Sequence, residues 1–167
     1  MSVVIRLATP GDAKALAALG ERVAAEPEAW LPTERWRSAA EERRFLRALR
    51  QHDGAAVLAA EAPEGIVGRL SVSRDPQPAS RHVADVGLMV APEWRRRGVG
   101  RALLQSAERW ARETGVRKLE LHVFPHNEAA IALYEGAGYE REGYRRGHYR
   151  RGGHFYDAIL MARSLAN

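Results

Sequence analysis

The 167-residue chain contains no cysteine, which excludes disulfides and a thiol nucleophile. Lysine is almost as scarce: Lys14 and Lys118 are the only two among 26 basic residues, so arginine carries the formal charge of +5. A basic surplus can serve a polyanion. Arginine together with abundant alanine is also what a GC-rich genome encodes, and no aromatic-basic RNA motif accompanies it. Nucleic acid is therefore not an expected partner. No apolar run reaches the length of a membrane span, and the N-terminus lacks the basic, apolar, small-residue order of a signal peptide. The expectation is a cytoplasmic protein without a membrane partner. Internal repeats and long linkers are missing too, so residues 1–167 read as one domain, long enough to bury a substantial core.

What is present has a clear order. Val3 to Leu7 alternates like a strand, and Thr9-Pro10 caps a helix running from Asp12 to Ala25. Ser38-Ala39-Ala40-Glu41 is a capping box for a second helix to about Gln51. Ala55 to Glu61 and Ile66 to Ser73 read as strands joined by the turn Ala62-Pro63-Glu64-Gly65, and Val83 to Val90 as a third. Then come a helix from Ala102 to Thr114, a strand from Leu119 to Val123, and a helix from Glu128 to Glu135. Closing strands run over about Glu140 to Arg146 and His154 to Arg163. The order βααβββαβαββ predicts an α/β (α+β) domain.

Between the third of these inner strands and its helix stands Arg95-Arg96-Arg97-Gly98-Val99-Gly100-Arg101. A strand that turns through such a loop into a helix builds an anion site. The first helical N–H groups lack partners, the helix dipole is positive there, and glycine admits close approach. The alternative for these seven residues alone is a tight turn with a solvated basic cluster. Two phosphate loops are excluded: Arg101-Ala102 stands where a P-loop has Lys and Ser or Thr, and Leu103 where the dinucleotide fingerprint has its third small residue.

The pattern Arg-x-x-Gly-x-Gly after Leu88-Met89-Val90 instead resembles the acyl-CoA loop of the GNAT superfamily of N-acetyltransferases. A second GNAT signature, Asn-x-x-Ala-x-x-x-Tyr-x-x-x-Gly-Tyr, follows as Asn127, Ala130, Tyr134, Gly138 and Tyr139. The resemblance extends from Ile5 to the last strand. The C-terminal run from Gly152 to Arg163 is similar to the phosphinothricin and amino-acid N-acetyltransferase branch.

The resemblance implies a central mixed, twisted sheet of about seven strands with helices on both faces, and acetyl-CoA as co-substrate with no metal. It places the pyrophosphate against Arg95, Arg96, Arg97, Gly98, Val99, Gly100 and Arg101. The pantetheine arm would lie in a slot beside Leu88, Met89 and Val90, where the strand bulges and splays, with Asn127 and Ala130 nearby. It also implies the Met89 N–H as oxyanion donor and Tyr134 as proton donor to the thiolate. For the base, His122 is the expected residue, with Asp85, His82 and Glu120 as rivals. Glu28, Trp30, Trp36, Asp85, Glu120 and Tyr149 are candidate acceptor contacts. The expected reaction is acetyl transfer, by direct attack in a ternary complex, to a small primary amine such as an amino acid. Acetylation of a protein N-terminus or lysine is the alternative, and an acetyl-CoA-binding module without turnover is the non-enzymatic one. A homodimer is an open option.

Overall fold

Strands and helices follow the expected order in the computed structural model, which describes residues 2–165. The strands are β1 (Val4–Leu7), β2 (Ala55–Ala62), β3 (Gly65–Arg74), β4 (Val83–Val90), β5 (Lys118–Val123), β6 (Glu140–Arg151) and β7 (His154–Ser164). The helices are α1 (Ala13–Ala24), α2 (Ala39–Leu49), α3 (Val99–Glu113) and α4 (Glu128–Gly136). One sheet holds all seven strands in the order β1-β2-β3-β4-β5-β7-β6. Only β4 and β5 run parallel, so the sheet is mixed.

Strand alternation sends neighbouring side chains to opposite helical layers. Val57 of β2 packs with Leu16 of α1 and Leu46 of α2. Leu58, the next residue, belongs to the larger core that includes Leu103 and Ala107 of α3. Helices therefore cover both faces.

The α1–α2 layer holds a buried ion pair. Arg69 of β3, 3% exposed, donates through Nε to Glu42 of α2, 0% exposed, at 3.1 Å. Arg37 pairs with the other Glu42 oxygen at 3.2 Å, so it is removal of Glu42 that would leave Arg69 as an uncompensated buried charge. Trp36 completes this cluster. Its ring lies so close over Gly20 that a Cβ there would stand 2.3 Å from it, and the guanidinium groups of Arg37 and Arg69 sit 4.9 and 5.2 Å from its centroid. This corrects the expectation for Trp36, which is a packing residue against α1 and the larger core.

Three boundaries differ from the sequence reading. Pro10–Asp12 forms a 3-10 turn before α1 begins. Helix α3 starts at Val99 rather than Ala102, because Gly98 at φ 83° turns the chain directly into it. Strand β6 continues to Arg151, through residues expected as a loop, and the turn is only Gly152-Gly153. Both glycines have positive φ (57° and 78°), which a two-residue type I′ hairpin requires.

Candidate active site

The parallel pairing of β4 and β5 covers only Val83↔Lys118, Ala84↔Leu119 and Asp85↔Glu120. Beyond Asp85 the two strands part, while β5 stays fully paired with β7 as far as Val123↔Ile159. A slot opens where a ladder would otherwise continue. The expected bulge is not what opens it: β4 keeps an unbroken register with β3 from Arg74↔Ala84 to Gly68↔Val90.

That register decides which backbone groups face the slot. The Ala91 N–H donates to the Val67 carbonyl at 2.8 Å, and the Asp75 N–H to the Val83 carbonyl at 2.9 Å. In an antiparallel ladder alternate residues turn both groups toward the same neighbour. Val83, Asp85, Gly87, Met89 and Ala91 therefore face β3. Met89, opposite Arg69, has its N–H committed to that ladder and its side chain buried. The expected oxyanion role for the Met89 N–H is thus corrected: Val86, Leu88 and Val90 present their backbone groups to the slot. The Val90 carbonyl already accepts the Arg95 Nε at 3.1 Å.

A cavity of about 540 Å³ runs along the slot from Arg96 and Arg101 to Asp85, His122 and Tyr149. This lies within the size range of small-molecule sites. At the basic end, the first N–H groups of α3 have no intrahelical acceptor, and Gly98 offers no side chain to cap them. Gly98 and Gly100 line the cavity, and Arg96 holds a positive φ of 61° beside them. The arginines divide their work. Arg95 forms a bidentate pair with Glu26 at 2.7 Å, tying the loop to the end of α1. Arg97 stacks over Trp94 at 5.1 Å and does not line the cavity. Val99 is a core residue. The side chains of Arg95, Arg97 and Val99 thus brace the loop, although Arg95 also lines the cavity, and what these residues offer an anion is their backbone.

On the α4 wall, the Asn127 Oδ1 caps the helix by accepting the Ala130 N–H at 3.2 Å, and both residues line the cavity. Tyr134 lines it as well, 7% exposed. Burial alone raises its phenol pKa well above the ordinary value, so the hydroxyl stays protonated at any physiological pH.

At the other end, register assembles the polar groups on one sheet face. Asp85 opposes Glu120, and His122 opposes Leu160, which in turn opposes Gly143. Asp85 touches water yet is enclosed by the concave wall. That enclosure, and then the charge of Glu120, push its pKa up to about 6. His122 Nδ1 lies 2.8 Å from the Tyr149 hydroxyl. Burial, then Arg145, then His148 hold its pKa below the usual imidazole value, so it is neutral at pH 7. Tyr149 reaches His122 because β6 bulges: Arg145 pairs with Ala158 and Tyr149 with Tyr156, leaving residues 146–148 opposite Asp157 alone. Asp157 secures the bulge by accepting from the Gly147 N–H at 2.7 Å and the Tyr144 hydroxyl at 2.6 Å.

The segment between α1 and α2 roofs this end with Trp30, Leu31 and Pro32. Trp30 stacks on His126 at 5.5 Å. His126 Nε2 also contacts the carbonyls of Glu28 and Ala29 at 2.9 and 3.2 Å. Arg151 donates to the carbonyls of Ala24, Leu31 and Thr33 at 2.7 Å each, and Glu34 accepts the Gly152 N–H. Sequence reading missed His126 and Arg151 as roof pins. Glu28 contributes its backbone there and does not line the cavity; Glu120 acts on the site through Asp85. His82 lies outside it, its carbonyl accepting the Arg117 N–H.

The sequence model of the Acetyltransferase (GNAT) family matches residues 18–139, which span the slot, the Arg/Gly loop and α4. The chain belongs to that family. It is 33% identical over 102 residues to the L-amino acid N-acetyltransferase AaaT of Escherichia coli, covering 59% of this chain and 61% of that protein. It is 35% identical over 120 residues to an aminoglycoside N(6')-acetyltransferase type 1 of Stenotrophomonas maltophilia, covering 69% and 71%. Among solved structures, a GNAT-family acetyltransferase from Streptococcus pneumoniae superposes with a TM-score of 0.89 at 28% identity, over 99% of this chain and all of that one. At 22% identity, a Sinorhizobium meliloti phosphinothricin acetyltransferase solved in complex with acetyl-CoA shares the fold, with a TM-score of 0.88 over 99% and 90% of the two chains.

Proposed function

We propose that this GNAT protein transfers an acetyl group from acetyl-CoA to the primary amine of a small molecule, by direct attack in a ternary complex. The observation that carries this reading is the continuity of one cavity from unpartnered helix N–H groups, along slot-facing backbone, to a carboxylate with a raised pKa. Acetyl-CoA supplies the activated acetyl group as a thioester. The α3 N-terminus, with Arg96 and Arg101, holds the pyrophosphate. Backbone groups of Leu88 and Val90 pair with the extended arm as an added strand would. The Leu88 N–H takes the oxyanion role, worth roughly 3 kcal/mol for a well-placed donor. Asp85, ionised above pH 6, removes the proton from the acceptor ammonium; His122 and Tyr149 shape the wall beside it. Tyr134 donates its hydroxyl proton to the departing sulfur.

The roof over this end, held by Arg151 and His126, supports a small acceptor over a protein N-terminus. AaaT, by its name, acts on L-amino acids, which agrees with that size. The test is thiol release from acetyl-CoA across amino acids, polyamines, aminoglycosides and N-terminal peptides. Release with small amines and none with peptides is expected. The reverse pattern would move the acceptor to proteins.

The loop makes a separate prediction. Gly98→Val introduces a β-branched residue at φ 83°, and Gly100→Val drives a side chain against Leu133, whose Cδ2 lies 2.8 Å from the ideal Cβ position. Each should weaken acetyl-CoA binding by about tenfold or more, because the first strains the turn that presents the backbone to phosphate and the second displaces Leu133 from the cavity wall. Calorimetry with folded variants checks this, and unchanged affinity in both would move the pyrophosphate elsewhere.

A further inference from the structure

Strand β6 carries five arginines between Arg141 and Arg151, and four of them have assigned surroundings. Arg141 pairs with Glu135 at 3.7 Å, Arg146 lies with Tyr144 and Asp157, Arg150 sits over the Phe155 ring at 5.8 Å, and Arg151 pins the roof. Arg145 differs. Among the described residues it forms no ion pair and no side-chain hydrogen bond. Its pairing with Ala158, two residues from Leu160 on β7, puts it on the sheet face of His122 and Tyr149. Its charge is felt by both of those cavity-lining residues. Arg145 itself is exposed and outside the cavity lining; Gly143 and Ala158 add little bulk beside it on this face, and Leu160 is the side chain between Gly143 and His122.

Asp85 and Glu120 occupy the opposite side of that face. The acceptor end thus has carboxylates on one flank and an uncommitted guanidinium on the other, with neutral His122 between. A simple amine would satisfy only the acidic flank. We infer that Arg145 is a specificity-determining residue, reading a carboxylate on the acceptor whose ammonium faces Asp85, so that the preferred acceptor class is a small amino acid in its zwitterionic form. A guanidinium suits a carboxylate because its planar fork can give two parallel hydrogen bonds. This rests on the acetyltransferase reading and adds the identity of the acceptor's second charge.

The experiment measures thiol release with acetyl-CoA for matched pairs: each proteinogenic amino acid and its α-amide, which keeps the amine and loses the negative charge. Wild-type protein should favour the acids. Arg145→Gln should lower kcat/KM for the best acid by about 10- to 100-fold, the range for losing a hydrogen-bonded charge partner, mainly through KM. The same change should affect the matching amide far less, and Arg145→Lys should restore part of the loss. Arg146→Gln, on the other face, should change neither. Acetyl-CoA affinity, read by calorimetry, should match wild type throughout. Equal losses for acid and amide, or a wild-type preference for amides, would overturn the role of Arg145 while leaving the acetyltransferase reading standing. Binding of acetyl-CoA without thiol release to any amine would overturn that reading itself.

Discussion

Asp85→Asn should lower kcat/KM by about 10³-fold and, at the same time, raise the melting temperature at pH 7. Both effects come from one cause. Burial in the cavity wall and the facing Glu120 raise the Asp85 pKa to about 6, above the value of about 3.9 for an unfolded chain. Between these values the folded state binds the extra proton, so folding stability falls as pH rises from about 4 to about 6, and stays reduced above that. Asparagine removes this cost at neutral pH and changes nothing below pH 4. Because the carboxylate touches water, the gain should be roughly 1 kcal/mol, less than the full linkage value. For catalysis the sign is opposite. In the proposed mechanism the ionised form is the base, so wild-type kcat/KM should climb with pH through about 6, and that limb should vanish in Asp85→Asn. His122→Ala is the control, since the sequence points to His122 as the base. It should keep the limb near pH 6 and lose activity through the cavity wall it shares with Tyr149. A limb that disappears with His122 and persists without Asp85 would reverse the assignment.

Tyr134→Phe should reduce the single-turnover rate by about 10²-fold with acetyl-CoA affinity near wild type, because in the proposed mechanism only the proton for the leaving sulfur is removed. Burial keeps the phenol protonated far above neutral pH. Its loss should therefore depress the pH profile as a whole without displacing the limb near pH 6. The neighbouring Tyr139 ring, 5.9 Å away, keeps the core packed around the variant, so the melting temperature should hold. Full single-turnover activity would assign Tyr134 to packing.

The fold was legible because its signals are local. The capping box Ser38–Glu41 forms as expected, with the Glu41 N–H on the Ser38 Oγ and the Ser38 N–H on the Glu41 carboxylate. The Arg/Gly loop and Asn127 also stand where their motifs put them. What escaped the sequence depends on pairing between distant residues. Which β4 residues face the slot is a question of parity, set by the Ala91–Val67 bond. A motif that covers three consecutive residues cannot resolve parity, hence Met89 in place of Leu88. Trp30 and Trp36 are equivalent in composition and context, yet one roofs the cavity and the other packs on Gly20. Arg151 reaches carbonyls 118 to 127 residues away, and nothing in its own neighbourhood announces that. The Gly152-Gly153 pair was a readable signal for a tight hairpin, and it would have extended β6 to its full length.

Acetyl transfer is tested most directly by thiol release from acetyl-CoA with the purified protein and a panel of small amines, followed by mass analysis of the acceptor. Release should depend on the amine, rise through pH 6, and match in amount an acceptor heavier by one acetyl group. Tight binding of acetyl-CoA with thiol release no faster than hydrolysis, whichever amine is added, would contradict acetyl transfer and leave a cofactor-binding module on a GNAT fold.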